Sequence, residues 1–375
     1  MKSKSSKLKA GDWVEVRSKN EILSTLDSDG RLDGMPFMPE MFAFCGKRFQ
    51  VYKRAHKTCD TIFPVRGRRV DHAVHLETRC DGSAHGGCQA SCLLFWKDAW
   101  LKPVAGNSPR AASPEQNGGP DNQRSHAFEG AEATVWAKTQ TQTPSEDAAS
   151  AEPVYVCQAT RLPYATTSLE WWDIRQYVED YSSGNVGLWR IVCGAAYFLF
   201  QGLIRSPRGA GMLLRLYDRF YPLWRGHPYP RKHGTIPEGE PTPAGTLDLQ
   251  PGELVRIKPY NEILDTLNTR DRNRGLYFDA EEVPYCGGEY RVIKRVTRII
   301  HEKTGKMLEM KTPSIILDSV ICESRYSECR LFCPRSIYSY WREIWLERVE
   351  PKSSRAGQGI VEQVASPCEP ASSAR

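Results

Sequence analysis

One stretch of this chain occurs twice, and that repetition constrains its fold more than any other feature. Residues 11–54 read GDWVEVRSKNEILSTLDSDGRLDGMPFMPEMFAFCGKRFQVYKR, and residues 252–295 read GELVRIKPYNEILDTLNTRDRNRGLYFDAEEVPYCGGEYRVIKR. They align without a gap at a constant offset of 241, sharing Asn20-Glu21-Ile22-Leu23 with Asn261-Glu262-Ile263-Leu264 and Cys45-Gly46 with Cys286-Gly287. After a variable stretch the correspondence resumes at Leu76/Leu317, and it closes on FWKDAWL (95–101) against YWREIWL (340–346). A duplicated unit of about 100 residues is an ordinary domain size, so the chain is expected to hold two related small domains.

The repeated unit predicts mostly β structure. Trp13-Val14-Glu15-Val16 and Leu254-Val255-Arg256-Ile257 follow a glycine and carry apolar residues at strand spacing; Phe49–Tyr52, Tyr290–Ile293 and Ser314–Val320 read the same way. The NEILxTL segment suits one helical turn. The expected fold class is α+β: two tandem copies of a small mostly-β, SH3-like barrel, separated by a disordered linker and an α-rich middle region. The expected domains are 1–104 (first barrel), 105–150 (linker, with the small and polar composition of disorder), 151–235 (α-rich), 236–250 (linker), 251–350 (second barrel) and 351–375 (disordered tail). Within the middle region, helices are predicted near 168–181, 187–204 and 209–222.

Cysteine is the residue whose pattern carries chemistry. Of twelve cysteines, eight occupy matching places in the two copies: Cys45, Cys80, Cys88 and Cys92 in the first, Cys286, Cys322, Cys329 and Cys333 in the second. Cys59, Cys157, Cys193 and Cys368 have no counterpart. The chain opens on MKSKSSKLKAGDWVEV, without the apolar core of a secretory signal, so the expected compartment is the reducing cytoplasm, where disulfides seldom persist. Four thiols per unit then predict a metal site, because structural zinc prefers four soft or borderline ligands at tetrahedral corners. The expectation is two zinc ions per chain, one for each quartet. An Fe–S cluster in each quartet is the alternative, and buried unliganded thiols are the plain structural one. His75 and His85 are candidate ligands of the first copy, kept outside the quartet because the second copy has no histidine in those places.

Other motifs exclude more than they assign. There is no phosphate loop, no GxSxG, no HExxH and no dinucleotide fingerprint, so no catalytic residue is proposed. Glu21 and Glu262 read as helix-capping or salt-linked carboxylates. Lys plus Arg is 51 and Asp plus Glu 45, a net charge of +6. Residues 1–104 carry 18 basic against 12 acidic residues, but 246–350 carry 17 of each, so phosphate binding is not a property of the repeated unit. The expected function is a non-catalytic, metal-stabilised adaptor that binds a protein partner. Nucleic-acid binding through the basic 1–104 region is an alternative. Residues 187–225, with six arginines, one acid and the apolar run Ile191–Ile204, could also lie against a membrane surface.

Overall fold

The computed structural model of the chain describes residues 7–62, 66–104, 122–142, 152–204, 210–220, 227–230, 232–327 and 330–349. The tail from 350 onward, with Cys368, lies outside them, as does Cys329. Contacts divide the chain into two compact units. Unit one comprises residues 1–186, 296–312 and 321–338; unit two comprises 187–295, 313–320 and 339–375. Each has its own hydrophobic core. Helices and antiparallel sheets occur together, and the fold class is α+β.

Unit one is built on a five-stranded antiparallel sheet with the spatial order 93–97, 73–79, 48–54, 13–16, 101–103. The first strand, Trp13–Val16, buries Val14 and Val16 and turns Trp13 and Glu15 outward, the period-two pattern of a half-buried strand. The short helix Lys19–Leu23 follows because Ser18 and Glu21 make a capping box: the Ser18 amide donates to the Glu21 carboxylate (3.0 Å) and the Glu21 amide to Ser18 Oγ (3.4 Å). Gly46, at φ 73°, lets the chain reverse after the 3-10 helix Pro39–Phe44, and its amide donates to the Val16 carbonyl (2.9 Å). Ile22, Phe37, Met41, Trp96 and Trp100 fill the core that these elements enclose.

Unit two carries, in the sheet order 313–317, 289–295, 254–257, 346–348, two short strands and its parts of the longer strands 307–317 and 289–300. Strand Leu254–Ile257, helix Tyr260–Leu264, the pairing of Arg272–Asn273 with Leu276–Tyr277, and the 3-10 helix Ala280–Tyr285 each stand 241 residues after the corresponding element of unit one. The tryptophans behave alike. Trp100 Nε1 donates to Thr25 Oγ1 (3.1 Å) and Trp345 Nε1 to Thr266 Oγ1 (2.8 Å). Phe37 meets Trp100 edge-on at 5.1 Å, and Phe278 meets Trp345 at 5.4 Å. Trp96, Trp100, Trp341 and Trp345 are all fully buried, so they serve as core rather than as surface anchors.

Three stretches differ from the sequence expectation. Within 105–150, residues Asn122–Ala137 form a helix and Gln140–Gln142 pair with Pro153–Tyr155. The helix formers Ala, Glu and Gln cluster in this part, and Val135 is buried beside Gly30, but the polar average of the whole stretch hides both. The middle region opens on a helix that was not expected, Gln158–Ala165, and the helix expected near 168–181 begins only at Arg175, because Thr167–Leu169 is drawn into pairing with Gly67–Arg69. The other two run Leu188–Ile204 and Ala210–Phe220. Finally, residues 236–250 are not a free spacer in unit two: Leu249 is buried, and the amides of Leu247 and Leu249 donate to the Glu343 carboxylate at 3.0 and 3.1 Å.

Candidate metal centre

The loop that follows strand Ala73–Arg79 folds back on itself because of its glycines. The Cys80 amide donates to the Cys92 carbonyl (2.9 Å), closing the loop at its base. Inside it, the amides of His85 and Gly87 both donate to the Gly82 carbonyl (3.0 Å each). Gly82 sits at φ 75°, and a Cβ there would fall 2.1 Å from the Cys88 carbonyl oxygen, so no other residue fits. A Cβ on Gly86 would likewise strike the Tyr155 ring, which covers the loop from the 153–157 segment.

This packing turns the His85 side chain inward, where it is 1% exposed. Its Nδ1 lies 2.6 Å from Glu40 Oε1, and its Nε2 lies 3.1 Å from the Val156 carbonyl. Glu40 comes from the 3-10 helix Pro39–Phe44 and is itself buried. The same carboxylate oxygen accepts from the Ala84 amide (3.1 Å) and lies 3.8 Å from Cys80 Sγ. One ligand atom each from Glu40, Cys80 and His85 therefore lies within 4.8 Å of the others. Glu40 Oε2 is buried with no hydrogen-bond partner.

A metal ion suits this donor set on chemical grounds. The Val156 carbonyl can only accept, so it takes the Nε2 proton of His85 and leaves Nδ1 as the ring nitrogen turned to the carboxylate. Metal-bound histidines show this arrangement, with the far ring N–H donated to a backbone carbonyl. A cation between Nδ1, Cys80 Sγ and the carboxylate would replace a proton that the two acceptors must otherwise share, and it would engage the orphaned oxygen.

Further thiols stand close by. Cys80, His85, Cys88, Cys92 and Cys157 line one cavity of about 30 Å³. Burial drives the Cys80 thiol far up from its ordinary pKa, with the Glu40 carboxylate adding to the shift. Burial also pushes Cys92 up to about 12 and Cys157 up to about 11. Unassisted, these groups are neutral thiols; a divalent cation is the agent that makes such thiols ligands, because it displaces their protons.

The structure sorts the sequence-predicted residues as follows. Cys80, Cys88 and Cys92 share the cavity. Cys45 ends the 3-10 helix and packs against the hydrophobic core instead. Cys157, which has no repeat counterpart, lines the cavity in its stead, and His85, an outsider by sequence, sits beside Cys80. His75 is a core residue: burial lowers its pKa to about 3, Nδ1 meets the Leu94 carbonyl (2.9 Å), and its ring lies 4.4 Å from that of Phe95. Of the second quartet, Cys286 belongs to unit two, where burial raises its thiol to about 12, whereas Cys322 and Cys333 belong to unit one. Cys333 Sγ accepts from the amide of Cys59, another cysteine without a counterpart, at 3.2 Å. Their side chains also meet: the Cys333 thiol, donating to Cys59, holds Cys59 down at about 6 against the opposing effect of burial, and the Arg335 guanidinium, 3.8 Å from Cys59 Sγ, assists. Cys322 Sγ lies 3.5 Å from Ser324 Oγ.

No protein-family model matches this chain, and no curated protein matches it.

Proposed function

We propose that this chain is a non-catalytic, metal-stapled binding protein built on two related SH3-like units, and that unit one holds a zinc ion on Cys80, His85 and Glu40, with a fourth ligand from the thiols of Cys88, Cys92 and Cys157. The reading rests on one observation: donors of three types, from Glu40, Cys80 and His85, lie within 4.8 Å of one another, and the second oxygen of the same carboxylate is buried without a partner. Four-coordinate zinc accepts such mixed sulfur, nitrogen and oxygen sets. The ion would tie together the 3-10 helix, the 80–92 loop and, through Val156 and Cys157, the segment that covers them. A closed site of this kind stabilises a fold and leaves no open position for chemistry.

A protein partner is the occupant we favour for the surface. Two arginines of the basic 1–104 region are engaged within the protein: Arg68 pairs with Asp60 (3.3 Å), and Arg69 with Asp173 (3.5 Å) and Glu179 (3.8 Å). Beside them, Ile174 and Val178 are exposed along an open groove of about 380 Å³, an apolar surface suited to another protein.

Metal analysis of the chain purified without chelator is the test. A colourless protein with zinc bound, losing one equivalent in Cys80→Ser and in Glu40→Gln, supports the reading. Absence of metal from the wild type, or an unchanged zinc content in Cys80→Ser, ends it. A brown protein absorbing in the visible would instead favour an Fe–S cluster on the four thiols of the cavity.

A further inference from the structure

Unit two contains a helix that presents its apolar face outward. Leu188–Ile204 has seventeen residues and one charge, Arg190, and Gly194 is its single buried residue. Leu188, Val192, Leu199 and Leu203 are 49–72% exposed and recur at helical spacing along one stripe. The positions between them on that stripe, Ala195, Ala196 and Gly202, are exposed as well and carry no polar group. The opposite side is occupied: Phe200 packs on Tyr217 of the next helix at 5.7 Å, and both rings meet Tyr229.

The next helix, Ala210–Phe220, completes the pattern. Among its described side chains, Met212, Arg215, Leu216, Arg219 and Phe220 are exposed, so apolar groups and guanidinium groups share one face. The sequence from 187 to 225 holds six arginines and one acidic residue. Among the described residues, no helix is long and apolar enough to cross a membrane. A continuous exposed apolar stripe of this length marks an interaction surface. Its basic flank selects an anionic partner, and its lack of polar groups selects one that is apolar below a charged layer.

We propose that the helices Leu188–Ile204 and Ala210–Phe220 lie in the surface of an anionic lipid bilayer, with the Leu188–Leu203 stripe and Met212, Leu216 and Phe220 entering the acyl boundary and Arg215 and Arg219 facing the lipid phosphates. Trp189, exposed at the start of the first helix, sits where an indole favours the interface. This surface is independent of the metal centre, and each can fail without the other.

The test is flotation of the full chain with vesicles of phosphatidylcholine alone and with 30% phosphatidylglycerol. The expected result is binding to the anionic vesicles, weakened about tenfold or more in Arg215→Glu/Arg219→Glu, since each basic residue near such a surface contributes roughly a fivefold factor. Raising the salt is expected to reduce it, and Leu199→Asp/Leu203→Asp to abolish it with the circular-dichroism spectrum and thermal midpoint kept. No binding to anionic vesicles, or binding that survives Leu199→Asp/Leu203→Asp, overturns the proposal. So does a wild-type dimer that the same two aspartates convert to monomer, because a second copy would then be what covers the stripe.

Discussion

Residues 11–101 and 252–346 solve the same packing problem and then part company. Both place a tryptophan over a threonine hydroxyl and an aromatic edge against that tryptophan. Both pair a charge on the first strand with its opposite on the next, but with the signs exchanged: Glu15 meets Arg48 in one, Arg256 meets Glu289 in the other. What is retained is complementarity, not residue identity. The loops between the last strands differ altogether. In the first region, His85 and Glu40 meet over Cys80, and the 153–157 segment closes the group. The second region has Glu281 in the place of Glu40 but no histidine corresponding to His85. The shared framework is therefore a scaffold, and the candidate metal centre belongs to what the first region adds to it.

The largest expected effects test the shared part. Trp100→Ala and Trp345→Ala should each cost about 3–5 kcal/mol, the usual range for emptying a buried indole site, read from denaturant midpoints; a loss below 1 kcal/mol in either would break the equivalence. Lys57 probes what the first region has alone. It is buried with its ammonium 2.6 Å from Asp180, and it also donates to the Leu331 carbonyl (2.8 Å). Lys57→Met leaves a buried carboxylate uncompensated and should cost about 3–5 kcal/mol, most of which Lys57→Met/Asp180→Leu recovers. Its counterpart by offset, Arg298, pairs with Glu309 at the surface, so Arg298→Met should cost less than about 1 kcal/mol.

Smaller differences sharpen the comparison. Trp96 Nε1 donates to Thr78 Oγ1 (2.9 Å), whereas Trp341 Nε1 is buried without a partner. Trp96→Phe strands the Thr78 hydroxyl, so it should cost about 1 kcal/mol more than Trp341→Phe. The smallest effect belongs to pH. Burial pushes the Glu21 carboxyl up, but hydrogen bonds from Lys102 and Ser18 outweigh it and hold the group at about 2, below its ordinary 4.5. Its contribution is complete above pH 4.5 and is lost as the pH falls toward 2. The side chain is 38% exposed, so solvent limits the effect to less than about 1 kcal/mol. Glu21→Gln should flatten that part of the acid titration.

How much of this was legible in the sequence depends on what kept each residue in place. The strands, the single helical turns and the capping role of Glu21 were readable, because they follow from local spacing and from comparing one copy with the other. The same comparison carried less in the candidate site. It paired Cys45 with the later cysteines because Cys45 recurs; Cys45, like Cys80 and Cys157, packs against the core of unit one. It set aside His85 and Cys157 because they do not recur, although both reach the cavity through packing that no local pattern encodes. The one local signal for His85 was the glycine-rich DGSAHGGC loop, whose Gly82 and Gly86 leave the space that brings the imidazole inward.

The contacts around Lys57 and Cys59 also set an order of events for the growing chain. Their partners Leu331 and Cys333 belong to the same unit but follow nearly 275 residues later. At about 5–20 residues per second, residues 187–338 take roughly 8–30 s to be made after residue 186 has appeared. Through that interval Lys57 has Asp180 but lacks the Leu331 carbonyl, and Cys59 lacks Cys333. The sheet of unit one can assemble early from its own strands, but its closure waits for the synthesis of residues 321–338.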